Sequence, residues 1–258
     1  MLSVGIAQIP NSVDVAKNFE AINVHLQKFA KENVDLVLFP ECSLSGFAAT
    51  MRECTEAVLS PYLEKIQTWT QQTGIDVVLP TAIAEEEKVF NSGFWFTKNE
   101  RQRFYKIGLT DSEKTFFSIP ADWGAKVIQT KGYNLAILVC FEMEHDAWTY
   151  FKKDQADLIL WPGYWGWTVD DAWTTTKDQG KPNTIFSNMS VWKMPILQCN
   201  FSHNDLQGHK GAGPEGLSFV IDQNNELVHK GAHLKPEGYV VSLDKNGSQT
   251  IIRSCRSV

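Results

Sequence analysis

"LAILVCFEMEHD" (Leu135–Asp146) carries an unbroken apolar run into a cysteine and then sets three acids behind it, Glu142, Glu144 and Asp146. The run has the length of a strand and no polar residue interrupts it, as expected for a strand buried on both faces. "DLVLFP" (Asp35–Pro40) and "ADLILWPG" (Ala156–Gly163) have the same character. Between the apolar runs lie helical patterns. Val15, Phe19, Ile22, Leu26 and Phe29 recur at helical spacing behind Asp14, a plausible N-cap, and a second stretch runs from Tyr62 to Thr73 and ends at Gly74. A further helix is expected near Asn183–Trp192. Alternating strands and helices imply α/β architecture.

Other segments make the sheets mixed. "IDVVLPTAIAE" and "KVFNSGFWFT" read as strands joined at "EEEK", and "LSFVID" and "ELVHKG" as strands joined at "DQNN". "VGIAQI", "RFYKIGL", "AKVIQTKGYNLAILVC" with a turn at "KGYN", "MPILQCNF", "YVVSLD" and "SQTIIRSC" supply the rest. No repeat, low-complexity tract or linker divides residues 1–258, so a single domain is expected.

Hydrophobic residues make up 43% of the 258 and charged residues 21%, an ordinary globular balance. The net charge of −6 argues against a nucleic acid or an anionic membrane as partner. No apolar run approaches the roughly 20 residues that span a bilayer. "MLSVGIAQIP" reads as a first strand, without the basic and long apolar regions of a signal peptide. The five cysteines (Cys42, Cys54, Cys140, Cys199, Cys255) form no CxxC pair and no metal-ligand spacing with the six histidines. Free thiols, a cytoplasmic location and no metal are expected.

Acids beside Cys140 should raise its pKa and blunt it as a nucleophile. It is therefore either a packed strand residue or a thiol activated from elsewhere. Two further strands also end in reactive side chains: "LVLFPECSLSGF" leads to Glu41, and "RFYKIGL" carries Lys106. Taken singly, each has an ordinary reading as a core thiol, a loop carboxylate or a surface amine. At the carboxyl ends of α/β strands, where ligands bind, the three together supply a nucleophile, a base and an electrostatic stabiliser.

These segments, with "VGIAQIP", "FYKIGLTDSEKTFF", "WKMPILQCN" and "GLSFVIDQNNELV", make the chain resemble the nitrilase, or carbon–nitrogen hydrolase, superfamily along essentially its whole length. The resemblance implies a four-layer α-β-β-α sandwich with mixed sheets, assembled as a homodimer or larger homo-oligomer. It implies hydrolysis of a small-molecule amide without a cofactor. Cys140 would be the nucleophile, Glu41 the general base, Lys106 the stabiliser of the tetrahedral intermediate, and Glu113 the second glutamate that positions Glu41 or the substrate. The Phe141 N–H would complete the oxyanion hole with Lys106.

Many amidases of the family carry Asp and Arg two and four residues after the nucleophile, where this chain has Glu142 and Glu144. With Asp170 and Asp171 in a following loop, the acids lead to an expectation of neutral or cationic amides over those bearing a carboxylate. Glu142, Tyr164, Trp165 and Trp167 are candidate substrate-binding residues, with Trp173 as a further aromatic of that loop, although packing explains the aromatics equally well. Carbamoylase or nitrilase activity on the same trio, and a non-catalytic binding protein on the same fold, are the alternatives. A papain-like Cys–His pair would require one of His25, His145, His203, His209, His229 or His233 to reach Cys140.

Overall fold

The computed structural model describes residues 1–124, 126–143, 155–166, 192–205, 213–247 and 249–258. In chain order these give β1 (Leu2–Gln8), β2 (Asn11–Ser12), α1 (Val15–Lys31), β3 (Leu36–Leu38), α2 (Glu56–Thr73), β4 (Asp76–Glu85), β5 (Lys88–Phe96) and β6 (Arg101–Tyr105). They continue with β7 (Val127–Thr130), β8 (Tyr133–Ile137), β9 (Leu158–Pro162), β10 (Ile196–Cys199), β11 (Asn204–Asp205), β12 (Phe219–Ile221), β13 (Leu227–Lys230), β14 (Glu237–Asn246) and β15 (Gln249–Ser257). One sheet has the order β15-β14-β1-β3-β4-β5-β6 and another the order β13-β12-β10-β9-β8-β7. β1, β3 and β4 are parallel, as are β8, β9 and β10, while the flanking pairs are antiparallel. The mixed sheets read from the hairpin signals are therefore present.

Strand alternation sorts the side chains into layers. Leu36 and Leu38 join Leu135, Ile137, Leu158 and Leu160 between the two sheets. Val37 and Phe39 point the other way, onto Ile22, Leu26 and Phe29 of α1 and Leu63 and Ile66 of α2. On the far face of the second sheet, Ala136, Ile159, Trp161 and Ile196 cluster with Trp192 and Met194. The helix expected near Asn183–Trp192 otherwise lies outside the described residues.

Asp14 caps α1 by accepting hydrogen bonds from the N–H groups of Ala16 and Lys17. α2 is capped by Thr55 and starts at Glu56, ahead of the expected Tyr62. The difference is Pro61, which reads as a breaker because it lacks an N–H, yet lies inside this helix. Burial of Leu59, Leu63, Ile66 and Trp69 offsets the missing bond. Two strands are shorter than expected: β6 stops at Tyr105 and β8 at Ile137. Cys140 has φ of 50°, a left-handed conformation that no strand accommodates. The reactive side chains thus project from turns just beyond strand ends.

β5 and β6 position part of the site, and their close approach depends on Gly93. A Cβ there would lie 2.4 Å from the Phe104 ring and 2.8 Å from the Pro80 Cα. Gly93→Ala should lower stability by about 1–3 kcal/mol, measured by denaturant unfolding. An unchanged midpoint would show that β4 and β5 can separate without strain.

Candidate active site

Beyond β3, the Phe39 N–H donates to the Val78 carbonyl (3.1 Å) and the Ser43 N–H to the Pro80 carbonyl (2.8 Å), so the Glu41 turn is tied along β4. Glu41 is completely buried. Its Oε1 accepts from Lys106 Nζ at 2.7 Å and from Asn91 Nδ2 at 2.8 Å. Its Oε2 has no hydrogen-bond partner among the described residues. Burial pushes the Glu41 pKa up, Lys106 pulls against it and Glu113 adds to the rise.

Lys106 follows β6, and its N–H donates to the Asn91 carbonyl at 2.8 Å, extending the β5 pairing by one residue. This turns the side chain inward, where Nζ donates to Glu41 and, at 2.5 Å, to Glu113 Oε1. Burial opposes the ammonium, but Glu41, the Cys140 sulfur and Glu113 outweigh it and raise its pKa well above the ordinary lysine value. Glu113 is oriented locally. The Thr110 N–H donates to Glu113 Oε2 (2.8 Å) and the Glu113 N–H donates to Thr110 Oγ1 (3.2 Å), a reciprocal pair of capping-box type across the turn that leads into a one-turn helix, Glu113–Thr115. "TDSE" is the sequence signal for that arrangement.

Cys140 begins another one-turn helix, Cys140–Met143, and is 9% exposed. Burial, then the charge of Glu41, raise its pKa well above the usual thiol value; Lys106 opposes, Glu113 reinforces, and a backbone hydrogen bond from Tyr164 lowers it. The thiol is accordingly neutral at rest. The structure therefore brings Glu41, Lys106, Glu113 and Cys140 into one buried electrostatic group.

Three residues that hold this group were not singled out in the sequence. Asn91 donates to Glu41 and, through its carbonyl, receives the Lys106 N–H. Trp161 Nε1 donates to the Cys140 carbonyl at 2.9 Å. Lys126 Nζ donates to both oxygens of Glu142 at 2.8 Å. Their common signal is a polar atom at a buried strand or strand-edge position, where it needs a partner.

Glu142 corrects a sequence expectation. Rather than facing a substrate, it is fully buried and accepts from Lys126 and from the N–H groups of Ile107 (2.8 Å) and Val139 (2.8 Å). Its charge is matched by Lys126, so it supplies no repulsion toward a substrate carboxylate. Glu144, Asp170 and Asp171, the other acids in that expectation, lie outside the described residues, as do Trp167, Trp173, His145 and His209.

Tyr164 stacks on Phe47 at 4.4 Å, and its hydroxyl accepts from Asn204 Nδ2 at 2.7 Å. Phe47 meets Phe117 edge-on, Phe117 meets Phe116, and the Arg52 guanidinium lies 4.4 Å over the Phe116 ring. Trp165 instead packs edge-on against Trp161 at 5.6 Å, with its N–H on Asn200 Oδ1. It buttresses the indole that holds the Cys140 carbonyl. Phe141 lines a cavity of about 480 Å³ with Ile107, Gly108, Leu109, Thr110, Asp111 and Lys114. The described histidines are engaged elsewhere: His25 with the Ala21 carbonyl, His203 with Ser202, His229 against Tyr239 and His233 with Glu215. Among the described residues, no group of three or more His, Cys, Asp or Glu side chains is arranged to hold a metal ion. No described helix is long and apolar enough to cross a membrane.

The family described as carbon-nitrogen hydrolase matches residues 3–191. A hydrolase of Mycobacterium tuberculosis is 24% identical over 173 residues, covering 64% of this chain and only 62% of that relative's length. An (R)-stereoselective amidase of Pseudomonas sp. is 29% identical over 115 residues, 43% of this chain and 41% of the relative. A mutant amidase from Nesterenkonia sp. AN1, carrying acrylamide added at its active site cysteine, superposes with a TM-score of 0.75 at 16% identity, covering 95% of this chain and 94% of that one. At that identity the likeness shows the fold, the α-β-β-α sandwich of nitrilase type.

The buried thiols make stability fall with alkalinity. Cys54 is pushed up to about 11 and Cys255 to about 12, chiefly by burial, and Cys42, Cys140 and Cys199 are raised as well. Unfolded, these thiols release protons near pH 9, whereas the folded chain retains them to higher pH. Stability present below that point is lost as the pH rises through the folded values. Thermal unfolding should therefore move to lower temperature between about pH 8 and about pH 11. A flat profile would mean that the thiols are less desolvated than this packing implies.

Proposed function

The chain belongs to the carbon–nitrogen hydrolase family, and we propose that it hydrolyses a small non-peptide amide through a thioester on Cys140. The observation that carries this reading is the Oε2 of fully buried Glu41, unpartnered among the described residues and in the same charge group as a neutral thiol. A carboxylate whose pKa is raised by burial is a better proton acceptor than an exposed one. A thiol that is neutral at rest needs such an acceptor as it attacks.

Cys140 Sγ attacks the amide carbon while its proton passes to Glu41. The oxyanion of the tetrahedral intermediate is met by the Lys106 ammonium and the Phe141 N–H. Glu41 returns the proton to the leaving nitrogen, the C–N bond breaks, and ammonia or an amine departs. Water, deprotonated by Glu41, then attacks the thioester; the carboxylic acid leaves and the thiol is restored. Lys106 is held between Glu41 and Glu113 throughout. Its positive charge offsets the two carboxylates, which is how a thiol in acidic surroundings becomes usable.

The aromatic series Tyr164, Phe47 and Phe117 favours an amide with an apolar acyl group. The partners of this reading are that amide and a second copy of the chain in a homodimer or larger homo-oligomer, for which the family resemblance is the support. Sedimentation equilibrium tests the assembly. Amide hydrolysis is distinguished from carbamoyl-amine or nitrile hydrolysis by a substrate panel read through ammonia release.

Cys140→Ala should abolish turnover with little change in thermal stability, and activity retained by the purified variant would overturn the assignment. Glu41→Gln should lower kcat by about 10²–10⁴-fold, because the amide keeps the shape but cannot take the proton. Lys106→Ala should be comparably damaging, and a rise in KM alone would recast Lys106 as a substrate binder.

A further inference from the structure

Glu142 and Lys126 have no part in the chemistry above, yet they join the two turns on which it depends. Glu142 comes from the turn after β8, in the second sheet, two residues beyond Cys140. Its Oε1 accepts from the Ile107 N–H at 2.8 Å and the Gly108 N–H at 3.4 Å, both in the turn after β6 of the first sheet, directly behind Lys106. Its Oε2 accepts from the Val139 N–H at 2.8 Å, directly ahead of Cys140. Lys126 enters from just before β7, donates to both oxygens at 2.8 Å, and receives the Ile137 N–H on its own carbonyl. A side chain with this many donors converging on it is fixed in place, since each of its oxygens accepts from more than one group.

We propose that Lys126 and Glu142 form a buried positioning pair that locks the Lys106 turn of one sheet to the Cys140 turn of the other. Lys126 is the counter-ion that holds Glu142, and Glu142 fixes the separation of the Lys106 ammonium from the Cys140 sulfur and the adjacent Phe141 N–H. Burial lowers the Lys126 pKa and Glu142 opposes that shift, so the Lys126 charge depends on Glu142. Loss of this registration moves the oxyanion donors relative to the nucleophile, where a displacement of about 1 Å costs about 10²-fold in rate. Because it acts between protein turns, the pair governs kcat and leaves KM nearly unchanged.

This inference rests on the amidase reading, and the test separates the two. Lys126→Met leaves a buried carboxylate unpaired and is expected to lower both stability and kcat. Lys126→Met combined with Glu142→Gln removes both charges and recovers stability. Glutamine still offers one acceptor oxygen where Glu142 uses two, and turns an NH₂ toward backbone donors. The double variant should therefore melt close to the wild-type temperature while its kcat on the best amide stays about 10²-fold down, with KM within about threefold. Lys126→Arg, which keeps the charge, should recover most of kcat. A double variant with wild-type kcat would overturn the proposal and leave the pair a matter of folding alone. If the wild type turns over no amide, the functional reading fails by itself. The pair is then read from alkylation of Cys140 by iodoacetamide at fixed pH, slowed in the double variant if the proposal holds and unchanged if it does not.

Discussion

An ammonium with no exposure to water is tolerable only where anions surround it, and Lys106 sets that condition for everything around it. Removing the charge from water carries a penalty of several kcal/mol, recovered only through close, well-directed partners. Glu41 and Glu113 are those partners. Their presence in turn requires Asn91 to fix one carboxylate and the Thr110 cap to fix the other. Glu41 and Glu113, which raise the Cys140 pKa, are thus also the counter-ions of the ammonium that opposes the rise. A second ion pair, Lys126 with Glu142, disposes of a further acid in the same way.

The sandwich gives this cluster its shape. Glu41 and Lys106 leave the first sheet, Cys140 and Tyr164 leave the second, and the parallel centre of each sheet points the relevant strand ends toward one edge. Cys199 ties the sheets there, its thiol donating to the carbonyls of Ala7 (3.2 Å) and Leu38 (3.5 Å). A cysteine that the sequence offers as one thiol among five is a cross-sheet contact beside β3.

Much of this was readable from residues alone, and the failures are instructive. Apolar runs of strand length and the hairpin turns "EEEK", "KGYN" and "DQNN" locate most strands, because two-sided burial leaves an unmistakable pattern. The start of α2 was hidden by Pro61, where packing overrides a local breaker. The end of β8 was hidden because Cys140 adopts a left-handed backbone that nothing in its chemistry announces. Glu41 and Cys140 stand out in the sequence because each follows an apolar run, and Lys106 because it lies in the strand read from "RFYKIGL". Asn91, Trp161 and Lys126 do not, since a hydrogen bond from a buried polar atom depends on what lies across the sheet. Glu142 was misread for the same reason: position in sequence gave its distance from the nucleophile but not the direction of its side chain.

The cluster between the sheets has a consequence for how such a protein fails. Leu36, Leu38, Leu135, Ile137, Leu158 and Leu160 form the layer between the sheets that sets the Glu41 turn and the Cys140 turn at a fixed separation. On the proposed amidase reading, that layer is part of the catalyst as much as any titratable group. A slip of one sheet over the other too small to expose the core, and too small to register as unfolding, would still carry the sulfur away from the carboxylate. Heat or mild denaturant should therefore silence the chemistry while the sheets remain intact.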